Sequence, residues 1–324
     1  MSSLLIATTL VAVLGVLAAA LVLLISAHSA HRVARPNRNW QPAEWQPPRE
    51  PLEPVRFANA AGLKLAGWYL APPPGGPVAL VLHGFGTNRR EGQDLLPWLG
   101  EVGMGALLID FQGHGESEGR YTTVGLRELD DALSAVRYLQ ARLGQDVPLV
   151  AIGLSMGASV AIMAAAQCPD IRGVVADSPF ATLRRAVSRS FKIFFHLPPR
   201  IFVRPTLWFA ERLTGGRVAN VMPILSASAI APRPLLLIQG LDDGIVDPED
   251  SLLLYAAAGE PKYLWRVAGC DHVQARALLP AEYRRRLREC LALALHRGAD
   301  AVNGEFLVAD DLGDRWLAVA DVKQ

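Results

Sequence analysis

Gly153-Leu154-Ser155-Met156-Gly157 is the stretch whose reading decides the fold. A short apolar run, Val147 to Ile152, precedes it and reads as a strand. The small-residue segment Ala158 to Gln167 follows and reads as a helix. In the order strand, G-x-S-x-G, helix, the motif describes a serine held on a tight turn. Side chains at the two flanking positions would collide with such a turn, which is why glycine stands there. The turn lifts the Ser155 hydroxyl above the sheet. It also puts the Met156 N–H at a helix N-terminus, where developing negative charge is favoured.

Working outward, the chain alternates strand and helix from Val55 onward. Val55 to Ala58 and Leu63 to Leu70 pair around an Asn59-Ala60-Ala61-Gly62 turn. Val78 to Leu82 and Ala106 to Ile109 are buried strands, with a helix near Leu95 to Val102 between them. Val124 to Leu143 has helical spacing, and Gly173 to Ala176 is the strand after the serine helix. The alternation stops at Ala181 to Pro223, where Phe191, Phe194, Phe195, Phe202 and Trp208 interleave with arginines and a lysine. This segment reads as a helical insertion over the sheet, either as the buried face of lid helices or as a lid that touches membrane and admits acyl chains. Strand Leu235 to Ile238, helix Ser251 to Ala258, strand Tyr263 to Val267 and helix Pro280 to His296 resume the pattern. Such alternation predicts an α/β fold, a mostly parallel doubly wound sheet with helices on both faces.

The ends of the chain differ from this body. Leu4 to Ile25 carries no charge, and at about 1.5 Å per residue it can span a bilayer. It predicts a single transmembrane anchor over 1–27, with a signal peptide cleaved near Ala27 to Ala30 as the alternative. His28, His31, Arg32, Arg35 and Arg38 follow, with no acid before Glu44, so the positive-inside rule puts the C-terminal bulk in the cytoplasm. Residues 28–54, rich in proline and carrying Trp40 and Trp45, read as an extended tether. The alternating strand–helix body covers 55–297, with the insertion at 181–223. A tail at 298–324 holds two apolar runs, Phe306 to Ala309 and Trp316 to Ala320, compatible with a hairpin.

Composition excludes more than it assigns. The 324 residues are 51% hydrophobic, enough for a sizeable core, and the net charge of +1 offers nothing to nucleic acid. The three cysteines, Cys168, Cys270 and Cys290, lack the spacing of a metal site or a disulfide framework.

In doubly wound sheets, ligands meet the chain at the carboxyl ends of the strands. Three polar residues stand just after strands in the order Ser155, Asp243, His272. Serine needs a base with a pKa near 7, and a histidine base needs a carboxylate to hold one tautomer. Asp242 is adjacent to Asp243 and either can face His272. Asp177 after another strand is a rival acid, and Asp271 beside His272 points away. His83 and His114, in glycine-rich loops, read as hydrogen-bonded scaffold.

With these residues in view the chain resembles the α/β-hydrolase superfamily, in particular bacterial serine hydrolases similar to acylglycerol lipases and serine aminopeptidases. The resemblance rests on His83-Gly84-Phe85-Gly86, Asp110-Phe111-Gln112-Gly113-His114-Gly115, the serine motif, Gly240-Leu241-Asp242-Asp243 and Gly269-Cys270-Asp271-His272. It runs from about Val55 to His296 and implies an α/β-hydrolase fold. It favours Asp243 over Asp242, and it implies that the Phe85 and Met156 N–H groups form the oxyanion hole. It implies no metal or cofactor. The expected activity is hydrolysis of a carboxylic ester, with lipid-like esters among the candidates, through an acyl-enzyme on Ser155. A small-molecule or lipid-like acyl substrate and the membrane, through the N-terminal helix, are the expected partners. The same three residues also suit an amide or peptide hydrolase or an acyltransferase. A membrane-tethered scaffold without catalysis is the alternative of another class.

Overall fold

A computed structural model describes residues 3–43, 46–49 and 51–296 of the chain. The expected tail hairpin and Trp45 lie outside the described residues. Helix α1, Ser3–Ala34, leads into strands β1, Glu53–Ala58, and β2, Lys64–Leu70. Then come β3, Val78–Leu82; α2, Leu96–Glu101; β4, Gly105–Ile109; and α3, Leu126–Leu143. Strand β5, Leu149–Leu154, runs into α4, Met156–Gln167, and β6, Ile171–Asp177, follows. The insertion holds α5, Leu183–Ile193, and α6, Pro199–Thr214. The chain closes with β7, Leu235–Gly240; α7, Glu249–Ala257; β8, Lys262–Val267; the short α8, Ala275–Leu278; and α9, Pro280–His296.

The eight strands form one sheet in the order β1-β2-β4-β3-β5-β6-β7-β8. Strands β1 and β2 pair antiparallel, as do β2 and β4, while the rest of the sheet is parallel. Side-chain alternation divides the core in two. Val78, Leu80 and Leu82 pack on one face with α3 and α4, and Ala79 and Val81 on the other with α2 and α9. Both faces are covered, which is why the central strands read as unbroken apolar runs. In register, Leu82 of β3 opposes Gly153 of β5, and Gly153 opposes Ala176 of β6. The loops after β3, β5 and β6 therefore leave the sheet at one edge, as the switch-point rule expects.

The structure moves several expected boundaries. Helix α3 starts at Leu126 rather than Val124, because Val124 and Gly125 both have positive φ, 52° and 126°. The Glu128 carboxylate, fully buried, accepts from the Gly125 N–H at 2.8 Å and from the hydroxyls of Thr122 and Thr123 at 2.7 Å, closing that turn.

The larger difference is at the N-terminus. Helix α1 does not stop near residue 27 but continues to Ala34, about 48 Å in all for its 32 residues. Nothing between Ala27 and Pro36 breaks a helix, and the residue before proline is the natural place to leave it. Residues from Leu4 to Leu24 are mostly exposed, and this part is long and apolar enough to cross a bilayer. The last turns are not exposed on every side: Ser26, Ser29, Ala30 and Ala34 are buried, and α1 packs along α6. The stretch read as an extended tether is docked. The Arg38 guanidinium donates to the Gly119 carbonyl at 2.9 Å and to that of Ser117, and the Asn88 side chain donates to the Trp40 carbonyl at 2.7 Å.

The insertion's aromatics divide into buried and exposed ones. Phe191 and Phe202 are buried and stack at 5.5 Å, while Phe194 is 59% and Trp208 49% exposed. Arg185 ties α5 to the buried Asp250, which also accepts from the Ala181 N–H at 3.0 Å.

Candidate active site

Ser155 sits between β5 and α4 with φ 53° and ψ −114°, a conformation a side chain adopts only when its surroundings impose it. Its N–H donates to the Asp177 carbonyl at 2.8 Å, so β6 holds the turn from the side. A Cβ at 153 would lie 2.3 Å from the Gly157 carbonyl oxygen, and one at 157 would lie 2.1 Å from the Leu82 carbonyl oxygen. Neither position tolerates any residue but glycine, because backbone cannot move out of the way.

His272 stands in the loop after β8. Its Nε2 lies 2.8 Å from the Ser155 Oγ, and its Nδ1 lies 2.8 Å from the Asp243 Oδ2. A carboxylate only accepts, so the ring proton belongs on Nδ1 and the Nε2 lone pair faces the serine hydroxyl; the tautomer follows from this network. Asp243 is buried and fully engaged. Its Oδ1 accepts from the Ile245 and Val246 N–H groups at 2.8 Å, and its Oδ2 also accepts from Gln239 Nε2 at 2.8 Å. Gly240 makes the meeting possible: a Cβ there would lie 2.2 Å from the Cys270 carbonyl oxygen, so the loops after β7 and β8 touch.

The other acids have different work. Asp242 is exposed and contributes its N–H to the Cys270 carbonyl at 3.0 Å. Asp271 accepts from the Gly244 and His272 N–H groups at 2.8 and 2.7 Å, which holds its carboxyl below the ordinary range. Asp177 is buried, and burial pushes its carboxyl up to about 6. It accepts the Ser178 hydroxyl at 3.0 Å, and Ser178 in turn accepts the Val273 N–H at 3.1 Å, clamping the histidine loop rather than bonding the ring.

On the opposite side of Ser155 runs the loop after β3. The two residues offered for an oxyanion site, Phe85 and Met156, both line the cavity that contains Ser155. Among the described residues neither N–H has an acceptor. Buried histidines shape this loop. His83 Nε2 accepts from the Phe111 N–H at 3.0 Å and Nδ1 donates to the Gly84 carbonyl at 2.7 Å. Burial holds the His83 ring well below its ordinary pKa, and it pulls His114 down to about 4, so both are neutral donors and acceptors. One residue escaped the sequence reading. Glu91 accepts from the Gly84 N–H and from the Thr87 hydroxyl, both at 2.6 Å, and fixes the start of the loop. Its only trace in the sequence is the four-residue spacing from Thr87.

The cavity has a volume of about 390 Å³ and extends from Ser155 under α5 and α6. Phe180, Leu183, Phe191 and Leu207 make its walls apolar, and among the described residues no aspartate or glutamate lines it. Its remaining wall is the end of α1, from His28 to Ala34, which sequence reasoning assigned to a tether. Among the described residues no group of three His, Cys, Asp or Glu side chains is placed to hold a metal.

Residues 75–220 match the family model described as serine aminopeptidase, S33. An uncharacterized protein of Mycobacterium tuberculosis is 32% identical over 240 residues, covering 72% of this chain and 78% of that one. The uncharacterized protein YfhR of Salmonella typhimurium is 29% identical over 240 residues, 69% of this chain and 75% of that one. Among solved structures, an esterase of Pyrococcus furiosus superposes with a TM-score of 0.66 at 29% identity, covering 80% of this chain and 97% of that one. An acetyl xylan esterase from a Paenibacillus species shares the fold, with a TM-score of 0.61 at 21% identity over 82% of this chain and 90% of that one.

Proposed function

From the premise that the chain belongs to the α/β-hydrolase superfamily, we propose that it is a membrane-anchored serine esterase acting on apolar, lipid-like acyl esters. Ser155 Oγ attacks the ester carbonyl while His272 Nε2 takes its proton. Asp243 keeps the ring oriented and stabilises the imidazolium. The oxyanion of the tetrahedral intermediate is held by the Phe85 and Met156 N–H groups, each worth about 3 kcal/mol in such sites. His272 returns the proton to the leaving alcohol, an acyl-serine remains, and a water activated by the same ring releases the acid.

The observation that carries the ester reading is the cavity lining. An aminopeptidase has to pair the charged amino terminus of its substrate, and among the described residues no carboxylate lines this cavity. Apolar walls suit an acyl chain. Helix α1 then holds the cavity at a bilayer, with the hydrolase body on the cytoplasmic side.

The test uses the full chain from the alkali-washed membrane fraction. Turnover of p-nitrophenyl esters should rise in kcat/KM from two-carbon to eight-carbon acyl groups, by about 10-fold per pair of buried methylenes. Aminoacyl p-nitroanilides should be turned over at least about 100-fold less well. Preference for the anilides would favour the peptidase, and a chain released by the alkaline wash would remove the anchor.

A further inference from the structure

Helices α1 and α6, which pack together, carry three buried hydroxyls. Ser26 and Ser29 lie one turn apart on the same face of α1, and Thr206 lies on α6. They are 0%, 5% and 4% exposed, and among the described residues none of their oxygens has a hydrogen-bond partner. Ser29 and Thr206 line the cavity that holds Ser155.

Their neighbours in the same wall behave differently. Ser190 donates to the Ala186 carbonyl at 3.0 Å and Thr214 to the Ala210 carbonyl at 2.8 Å, each one turn back in its own helix. Thr122 and Thr123 donate to Glu128. Those hydroxyls are spent on the fold, whereas Ser29 and Thr206 keep their capacity in a wall that is mostly apolar apart from His28 and Arg32. A buried hydroxyl left unpaired is unfavourable unless something that enters the cavity completes it.

We propose that Ser29 and Thr206 form a specificity-determining polar notch that holds a hydroxyl group borne by the substrate away from its scissile ester. A substrate hydroxyl can donate to one of the two and accept from the other, which an alkyl chain cannot do. The preferred substrate is therefore a hydroxylated amphiphilic ester rather than a plain alkyl one. The notch sits on the helix that continues into the apolar span, so it reads a group entering beside α1. This inference rests on the esterase reading above.

The experiment walks a hydroxyl along the acyl chain of p-nitrophenyl esters from eight to twelve carbons, using the full-length protein in detergent micelles. The readout is the ratio of kcat/KM for each hydroxylated ester to its unsubstituted parent. One position should give a ratio about 10-fold above the others. That peak should vanish in the Ser29→Ala, Thr206→Val double variant and persist in Thr206→Ser, which keeps the hydroxyl. If the double variant does not fold, Ser29→Ala alone should lower the peak and Thr206→Ser alone should keep it. A flat series in the parent protein, or a peak that survives loss of both hydroxyls, overturns the notch. Labelling of the parent protein by a small fluorophosphonate runs alongside. Labelling with a flat series overturns the notch alone, and absence of labelling overturns the esterase reading and the notch together.

Discussion

A Ser155→Ala chain should turn over an activated ester about 10⁴- to 10⁶-fold more slowly than the parent protein, with an unchanged unfolding temperature. The change removes one oxygen whose only described side-chain partner is His272 Nε2 at 2.8 Å. It leaves the backbone of the turn in place. Alanine at φ 53° carries the same strain that serine already carries there. The kinetic loss and the thermal transition are read on the same preparation. A variant that keeps more than about one part in a hundred of the parent rate would show that another group attacks the ester.

Asp243→Asn should lower kcat by about 10⁴-fold, again without unfolding the chain. Asparagine keeps the shape, and its carbonyl oxygen can still accept from the Ile245 and Val246 N–H groups. The amide nitrogen then faces His272 Nδ1 and donates to it, forcing the ring proton onto Nε2, where it points at the Ser155 oxygen. The base has lost the lone pair it needs. Asp242→Asn is the control. Its side chain is exposed, and kcat should stay within about twofold of the parent. A large loss in Asp242→Asn with none in Asp243→Asn would reverse the assignment of the acid.

These two carboxylates also show where sequence reasoning reaches its limit. Both stand in one turn after one strand, and no periodicity separates adjacent residues. What separates them is the contact of Gly240 with the Cys270 carbonyl and the two N–H groups that converge on the Asp243 Oδ1. The fold itself was open to reading, because central parallel strands are apolar along their whole length and each is followed by a helix. The elbow was open for a local reason: Gly153, Ser155 and Gly157 meet steric demands set within five residues and one neighbouring strand.

The end of α1 was not open in this way. Nothing between His28 and Ala34 announces contact with a helix some 170 residues later, and the proline-rich composition that follows suggests a free tether. The helix continues simply because no breaker precedes Pro36, and it then packs along α6 over the cavity. Glu91 was hidden for a similar reason: its partners, Gly84 and Thr87, are brought to it by a turn of 3₁₀ helix over Arg89–Leu95. The split of the insertion's aromatics into buried Phe191 and exposed Phe194 and Trp208 likewise depends on how α5 and α6 settle on the sheet.

The most direct measurement of the central claim is the site of covalent capture. The full chain is treated with a fluorophosphonate, digested, and mapped by mass spectrometry. A single phosphonyl adduct on the Ser155 hydroxyl, absent from the Asp243→Asn and His272→Ala chains over the same short exposure, is the expected result. An adduct on another residue, or capture at Ser155 that proceeds equally fast without His272, would contradict it.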